Sequence, residues 1–281
     1  MLSPFREILV ERRDRRAAAG AFTCYDMTTA VGVLRAAEAR GVPVILLVSE
    51  ASFRAEAGPA LVDGLRAVGE RASVPVAVQL DHVDDLELVR LAASVGVGAV
   101  MADGSRLPFE DNVDFVGGAR AAVGLTVGVE IELGHIEGGE DVAAAVSAGA
   151  LTDPDEAERL VAATAPDCLA VSIGNVHGTY AEPPKLDWER LKLIRERTLD
   201  LPLSLHGASG LPDADVRRAV ELGVCKVNVN TELRARYLAE LERHLPTVRR
   251  GHDVLSLQDA LVAGLADTVA GKLELFETGG A

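Results

Sequence analysis

Eight short apolar segments, separated by stretches with helical periodicity, limit how this chain of 281 residues can fold. The segments are rich in Val, Ile and Leu, which is typical of strands buried on both faces. Strands that alternate with helices form a parallel sheet, because each helix returns the chain to the edge where the next strand begins. The predicted strands cover residues 20–24, 43–49, 75–81, 98–104, 125–132, 168–174, 201–207 and 225–230.

The stretches between these strands carry helix signals. After the first strand, Val31, Leu34 and Ala37 are spaced to share one buried face, and Gly41 is placed to end the helix. Before the sixth strand, Asp153 precedes a proline, as the N-cap of a helix does. Each predicted strand is therefore followed by a predicted helical stretch.

The chain reads as one domain. Two helices follow the eighth predicted strand, and no linker or low-complexity segment divides the sequence. Eight strands with eight crossovers are the arrangement of a (β/α)8 barrel. We expect a single TIM barrel over residues 1–281, with a C-terminal helical extension.

Composition excludes several classes of partner. The net charge of −15 argues against nucleic-acid binding, which needs a basic face. Charged residues interrupt every apolar stretch near the N-terminus, so we expect neither a signal peptide nor a membrane span there. Cys24, Cys168 and Cys225 are too widely spaced for a disulfide framework, and their apolar neighbours predict buried side chains. We expect a cytoplasmic protein with no nucleic-acid or membrane partner.

Three histidines stand where predicted strands end. His82, His177 and His206 follow the third, sixth and seventh strands. The strands of a barrel end around one active site, so these residues are expected to converge. Three imidazoles with an open fourth position form the ligand set of a catalytic zinc site, although a lone histidine at a strand end is more often structural.

Acidic residues accompany these histidines. Asp81 directly precedes His82, and both side chains reach one site only if the chain bends as it leaves the sheet. In that geometry, one residue binds the metal and the other serves as acid or base. Asp103, Glu130 and Glu132 lie at other strand ends, where they can orient the imidazoles from outside the ligand set. Glu132 can equally be the partner of a structural cation.

Small residues follow the last two predicted strands, where TIM barrels commonly bind phosphate. HGASG occupies residues 206–210 and NVNT occupies residues 228–231. The backbone N–H groups of such loops can approach a phosphate closely. A chain with a negative net charge can bind phosphate only through such local donors. Thr231 either adds a hydroxyl to this site or caps the next helix.

The connection over residues 134–153 is long and rich in Gly and Ala. It carries Glu137, Glu140 and Asp141. Irregular loops of this length in compact domains are usually lids or binding loops. A solvated surface insertion is the alternative.

Seven groups of motifs, in this order, resemble the class II, metal-dependent ketose-bisphosphate aldolases. The resemblance is nearest to the tagatose/fructose-bisphosphate branch and covers nearly the whole chain. The motifs are LDH (80–82), VMADGSRLPFEDN (100–112), VEIELG with GGED (129–141), LTDPDEA (151–157), GNVHGTY with KLDWERL (174–191), HGASGL (206–211) and GVCKVNVNTELR (223–234).

The resemblance implies a lyase that reversibly cleaves a phosphorylated ketose into dihydroxyacetone phosphate and an aldehyde. It implies that His82, His177 and His206 bind one zinc ion per subunit. It assigns proton exchange at the C4 hydroxyl to Asp81, and proton transfer at the three-carbon ketone to Glu140. It also implies a monovalent cation, Na⁺ or K⁺, near the phosphate, and a homodimer or homotetramer. The implied substrate-binding residues are Gly178, Gly207, Ala208, Ser209, Asn228, Val229, Asn230 and Thr231.

The sequence departs from the family pattern at Thr23, Asp26, Val83 and Asn230, which leaves the aldehyde half of the substrate open. One alternative is a metal-dependent isomerase or epimerase that acts on sugar phosphates through the same enediolate. Another is a sugar-phosphate-binding protein without turnover, against which the acid/base residues argue. A lysine Schiff base is the other aldolase route. Of the four lysines, only Lys226 lies on a predicted strand, near its start and away from the active end, which argues against that route.

Overall fold

The computed structural model describes residues 1–138, 145–146, 149–180 and 185–277. Its strands are β1 (Ala19–Thr23), β2 (Val44–Ser49), β3 (Val76–Val83), β4 (Ala99–Ala102), β5 (Gly128–Leu133), β6 (Ala145–Val146), β7 (Cys168–Val171), β8 (Thr179–Tyr180), β9 (Leu203–Leu205) and β10 (Val224–Val229). Eight of them form a closed barrel in the order β1-β2-β3-β4-β5-β7-β9-β10, with every pair parallel.

One helix precedes the first strand, and the other helices lie after the strands around the outside of the barrel. Asp153 caps the seventh helix, as predicted, by accepting hydrogen bonds from the backbone N–H groups of Asp155 and Glu156. The helices are α1 (Phe5–Asp14), α2 (Met27–Arg40), α3 (Glu50–Arg54), α4 (Gly58–Arg71), α5 (Leu86–Ser94), α6 (Phe109–Val123), α7 (Pro154–Thr164), α8 (Trp188–Arg197), α9 (Asp213–Glu221), α10 (Thr231–Gly251) and α11 (Val254–Leu275).

Each of the eight predicted strands is a barrel strand, which confirms the predicted (β/α)8 fold. The largest shift of a starting residue is in the fifth strand, predicted to start at residue 125 and observed from Gly128. The chain leaves α6 through Gly124, whose φ is 70°, and Leu125 is 95% exposed, so these residues form a turn. The short pair β6–β8 lies outside the barrel and was not predicted, because two-residue strands carry no apolar pattern.

The barrel interior is filled in layers, since alternate residues of each strand point inward. At the end where the strands begin, Phe5, Ile8 and Leu9 of α1 pack against small inward residues such as Ala77 and Cys168. This packing closes that end of the barrel. The next layer is polar and completely buried, and it consists of Gln79, Glu130, Ser204 and Lys226.

The helix α2 shows how local signals set the outer layer. Asp26 accepts a hydrogen bond from the Thr29 backbone N–H at 2.7 Å, and Gly41 ends the helix with a φ of 66°. Leu34 is buried as predicted, but the prediction for Val31 is wrong, since it is 42% exposed. Ala37 is also buried as predicted, and Ala30 and Val33 complete the buried apolar face in place of Val31.

All three cysteines are buried and unpaired, as predicted. Burial raises the pKa of the Cys225 thiol to about 12. Burial also raises the pKa of the Cys24 thiol, with a smaller effect from Asp26. Because the thiolate is the reactive form, these side chains serve as small core residues.

The last helix, α11, is long and apolar enough to cross a membrane by length and composition alone. In the structure it packs against α2 and α10. Leu265, Val269 and Leu273 of this helix are buried within the main hydrophobic core. These side chains thus form part of the barrel's outer packing.

Candidate metal and phosphate site

His82, His177 and His206 meet at the mouth of the barrel, where β3, β7 and β9 end. The ring centroid of His82 lies 4.9 Å from that of each of the other two, which are 5.8 Å apart. One potential ligand atom from each ring lies within 4.8 Å of the others. Residues far apart in sequence therefore form one cluster.

A bend at the end of β3 allows two consecutive residues to reach this mouth. His82 has a φ of 51°, and the pairing of β3 with β4 is irregular between Leu80 and Val83. Positive φ is uncommon outside glycine and is concentrated at functional sites. The bend brings Asp81 and His82 to the same cleft, and Asp81 Oδ2 accepts a hydrogen bond from Asn228 Nδ2 at 3.0 Å.

Carboxylates hold two of the imidazoles from behind. His82 Nδ1 lies 2.8 Å from Asp103 Oδ2, and His206 Nε2 lies 3.1 Å from Glu130 Oε1. The opposite ring nitrogens, His82 Nε2 and His206 Nδ1, are 2.9 Å apart. Each carboxylate thereby orients one ring and leaves its other nitrogen facing the centre of the cluster.

The electrostatics match these hydrogen bonds. Burial, followed by the charge of Lys226, lowers the pKa of His206 to about 3 and keeps this ring neutral, as a metal ligand must be. Burial opposes ionisation of Asp103, but the hydrogen bond and charge of His82 lower the pKa of this carboxyl overall. Asp103 is thus an anion that accepts from the imidazole.

Glu132 was predicted either to orient a ligating imidazole or to pair with a structural cation. Its Oε1 accepts a hydrogen bond from the Ile136 backbone N–H at 3.1 Å, and its Oε2 lies 3.8 Å from His82 Nδ1. Within the described ranges, it pairs with no lysine or arginine. Burial and the charge of Asp103 raise the pKa of Glu132 well above its usual value. Glu132 lies beside His82 without a hydrogen bond to its ring.

The three imidazoles fit a tetrahedral metal ion such as Zn²⁺. With Zn–N bonds of about 2.0–2.1 Å, tetrahedral ligand nitrogens lie roughly 3.3 Å apart. That separation lies between two observed values. His82 Nε2 and His206 Nδ1 are 2.9 Å apart, and no two of the three candidate ligand atoms are more than 4.8 Å apart. Small side-chain movements therefore bring the nitrogens to ligand distance, and the carboxylates behind two of the rings match a zinc environment.

A small pocket, about 260 Å³ including the solvent at its mouth, adjoins the cluster where β9 and β10 end. Gly207 has a φ of 61°, and a Cβ there would lie 2.0 Å from the Val176 carbonyl oxygen, so only glycine fits. Thr231 is the first residue of α10 and not its N-cap, and this helix end favours an anion. The lining residues are His177, Gly178, Gly207, Ser209, Asn228, Asn230 and Thr231.

Six of the eight residues predicted to bind substrate line this pocket. Ala208 and Val229 do not, because their side chains pack in the hydrophobic core. Val229 follows the inward-facing Asn228 on β10, so strand alternation turns it toward the outer helices. Both residues can offer a ligand only their backbone groups.

An open cleft lies on the other side of His177 and measures about 790 Å³ including the solvent at its mouth. The start of the predicted lid contributes to this cleft, and the Glu137 carbonyl accepts a hydrogen bond from the His177 backbone N–H at 2.7 Å. Glu140 and Asp141 lie outside the described residues. The lining residues are Ser49, Glu50, Ala51, Arg54, Asp81, His82, Asp103, Arg106, His135, Ile136, Gly138 and His177.

The sequence named Glu130 as a carboxylate that can orient an imidazole, and it lies beside His206, but its other partners across the barrel were missed. This buried residue accepts hydrogen bonds from Ser204 Oγ and, at 2.5 Å, from Gln79 Nε2, and its Oε2 lies 2.8 Å from Lys226 Nζ. Its position two residues before Glu132 on β5 was the available signal, since residues two apart share a face. A buried carboxylate needs hydrogen-bond or ionic partners. Glu130 has several, and one of them is the His206 ring.

Lys226 lies one layer below the mouth, closer to the site than its position near the start of β10 predicted. Its Nζ donates to Asn228 Oδ1 at 2.7 Å. Burial would lower the pKa of Lys226, but the charge of Glu130 raises it overall. A protonated lysine in a buried ion pair is a poor nucleophile, which agrees with the argument against a Schiff base.

We expect Lys226→Met to destabilise the protein by about 3–5 kcal/mol, because it leaves the Glu130 carboxylate buried without its cation. Urea unfolding of the metal-free protein measures the change. The double variant Lys226→Met/Glu130→Gln removes both charges and should recover much of the loss. A single variant as stable as the parent protein would show that the pair contributes little.

Comparisons with known proteins concern the whole sequence and its fold. The sequence model of the family "Fructose-bisphosphate aldolase class-II" matches residues 3–281. The YdjI aldolase from Escherichia coli K12 has a TM-score of 0.87 and 28% identity, over 100% of this chain and 99% of that one. A Coccidioides immitis protein assigned as a fructose-1,6-bisphosphate aldolase has a TM-score of 0.88 and 29% identity, over 98% and 96%.

A third structure extends the likeness of fold at lower identity. Fructose-bisphosphate aldolase from Campylobacter jejuni has a TM-score of 0.80 and 18% identity, over 99% of this chain and 96% of that one. At this identity the likeness concerns the fold alone. The family match, in contrast, spans nearly the entire sequence. This chain therefore belongs to the class II fructose-bisphosphate aldolase family.

Proposed function

We propose that this protein is a zinc-dependent aldolase. It reversibly cleaves a phosphorylated ketose, similar to fructose or tagatose 1,6-bisphosphate, into dihydroxyacetone phosphate and an aldehyde. The observation that carries the proposal is the meeting of three imidazoles between a glycine-lined pocket and the cleft that contains Asp81. Family membership supports aldolase chemistry, and the contacts of the site residues support the roles that follow.

His82, His177 and His206 would hold the zinc ion. When bound there, the ion supplies a Lewis acid that polarises the substrate carbonyl. Asp103 and Glu130 keep two of the rings in the orientation and tautomer that binding requires.

Asp81 is proposed to move the proton of the substrate's C4 hydroxyl. The carboxylate is buried, and the amide of Asn228 fixes its direction through a 3.0 Å hydrogen bond. During cleavage Asp81 takes the hydroxyl proton as the C3–C4 bond breaks, and during condensation it returns that proton. Asp81 lies next to the proposed metal ligand His82, so it can reach the substrate without itself binding the metal.

The phosphate of the three-carbon product is proposed to bind in the small pocket. Gly178 and Gly207 let backbone N–H groups approach it, while Ser209 and Thr231 offer hydroxyl groups. The family resemblance adds a monovalent cation, Na⁺ or K⁺, beside this phosphate, and a homodimer or homotetramer. The cysteines and the charged N-terminal stretch favour a cytoplasmic protein.

Glu140 is proposed to exchange the C–H proton of dihydroxyacetone phosphate. We expect Glu140→Ala to slow this exchange by roughly 10²–10⁴-fold, the usual contribution of a positioned acid/base. Loss of the proton signal in D₂O, followed by NMR, measures it. Zinc content should stay the same, and an unchanged exchange rate would assign residues 134–153 to a surface insertion.

Product analysis tests the proposed function directly. The zinc-loaded protein is incubated with fructose, tagatose, sorbose and psicose 1,6-bisphosphates, and the products are identified by NMR. We expect dihydroxyacetone phosphate and glyceraldehyde 3-phosphate from at least one of them. Conversion of one ketose into another without cleavage would favour an isomerase or epimerase. Binding without any product would favour a sugar-phosphate-binding protein.

A further inference from the structure

Two pockets open at the mouth of the barrel, and His177 lines both of them. The small pocket, on the β9–β10 side, is the proposed phosphate site. The open cleft lies on the side of β2 to β5 and contains Asp81, which acts on the proposed C4 hydroxyl. If the three-carbon half occupies the small pocket, the aldehyde half must lie in the open cleft.

The open cleft contains two arginines with different surroundings. Arg54 donates to Glu50 Oε1 at 2.6 Å and to Asp85 Oδ2 at 3.2 Å, so carboxylates already balance its charge. Arg106 is exposed to solvent and forms no ion pair within the described part of the chain. Other surface arginines among the described residues also lack an ion pair, but Arg106 is the one of these that lines the cleft.

The backbone that carries Arg106 is fixed relative to the histidine cluster. Leu107 N–H donates to the Gly104 carbonyl at 2.9 Å, which closes a tight turn around Arg106. Ser105 N–H donates to Asp103 Oδ1 at 3.0 Å, and the other oxygen of Asp103 holds His82. The guanidinium is therefore tethered within reach of the cleft.

A second contact ties this turn to the neighbouring segment that follows β5. Ser105 Oγ lies 3.1 Å from His135 Nδ1, at the start of residues 134–153. Burial lowers the pKa of His135, and the positive charge of Arg106 is the next largest cause. The positive charge of Arg106 is therefore felt by another residue of the cleft lining.

We propose that Arg106 binds an anionic group at the far end of the aldehyde half of the substrate, either a phosphate or a carboxylate. The guanidinium is always charged and presents several donors to the two or three oxygens of such a group. This inference rests on the proposed aldolase function and adds a residue that selects the aldehyde.

The test compares condensation of dihydroxyacetone phosphate with three aldehydes by the zinc-loaded protein. Glyceraldehyde is neutral, tartronate semialdehyde carries a carboxylate, and glyceraldehyde 3-phosphate carries a phosphate. The measured quantity is kcat/KM for each anionic aldehyde divided by that for glyceraldehyde. The variants are Arg106→Gln and Arg106→Lys, and Arg90→Gln on the outer surface of α5 removes the same charge away from the cleft.

We expect Arg106→Gln to lower at least one of the two ratios by roughly 10–100-fold, as loss of a charged hydrogen bond does. Arg106→Lys should recover part of the ratio, and Arg90→Gln should leave it unchanged. The ratio that falls identifies the anion as phosphate or carboxylate. Ratios unchanged in Arg106→Gln, in a protein that condenses the aldehydes, would overturn the inference alone. A parent protein that forms no condensation product with any aldehyde would overturn the proposed function and the inference with it.

Discussion

Replacement of Asp81 by alanine is expected to slow cleavage of the ketose bisphosphate by roughly 10²–10⁴-fold, the usual contribution of a positioned acid/base. Asp81 is buried at the cleft wall, and Asn228 orients it. Cleavage requires that the C4 hydroxyl lose its proton as the carbon–carbon bond breaks. Without Asp81, no group in that position accepts the proton. The release of dihydroxyacetone phosphate, measured with a coupled dehydrogenase, gives the rate.

The same variant separates cleavage from enediolate formation. Proton exchange on dihydroxyacetone phosphate alone involves no C4 hydroxyl, so it should fall much less than cleavage. If both reactions collapse while zinc stays bound, Asp81 serves the enediolate or the structure of the site, and the proposed division of roles is wrong. If cleavage is unimpaired, another group is the acid/base, and Asp103 is the first to examine.

Replacement of His206 by alanine is expected to lower zinc affinity by more than the roughly 10–100-fold that loss of an outer partner costs. His206 is completely buried, and Glu130 holds its Nε2. The neutral ring thus presents Nδ1 to the centre of the histidine cluster. Competition with a chromophoric chelator measures the affinity.

Two other histidines provide matched controls for zinc content. His135 lines the open cleft but is not among the three clustered imidazoles, and His244 pairs with Glu240 on α10 at 3.1 Å. Their replacement by alanine should leave one zinc ion per chain. Equal zinc affinity in His206→Ala and in the parent protein would remove His206 from the proposed ligand set.

The fold could be predicted because its strongest signal is local. Each barrel strand is a short apolar run, and each is separated from the next by helical periodicity and turn residues. Element boundaries were less predictable, as Leu125 shows, because turn geometry at Gly124 decides where β5 begins. The exposed Val31 shows the same limit for a helix, whose apolar stripe is set by packing against the barrel.

The candidate site could be predicted in part because strand ends of a barrel meet in space. That rule alone brings His82, His177 and His206 together. The bend at His82, which turns Asp81 toward the same cleft, could be stated only as a condition, since a positive φ leaves no clear mark in sequence.

Contacts across the barrel could not be predicted from single strands. Glu130 on β5 meets Lys226 on β10 and His206 at the end of β9, and these pairings depend on strand order and register together. Once Glu130 and Lys226 are known to face the barrel interior, an ion pair between them is expected, because a buried charge without a partner is costly.

Metal removal and reconstitution test the central claim most directly. The protein is stripped with a chelator, its zinc content is verified by elemental analysis, and dihydroxyacetone phosphate release from a ketose 1,6-bisphosphate is measured as zinc is added. We expect no cleavage without metal, and a rate that rises until one zinc ion is bound per chain. Full cleavage by verified metal-free protein, or no cleavage of any ketose bisphosphate by the reconstituted protein, would contradict the account.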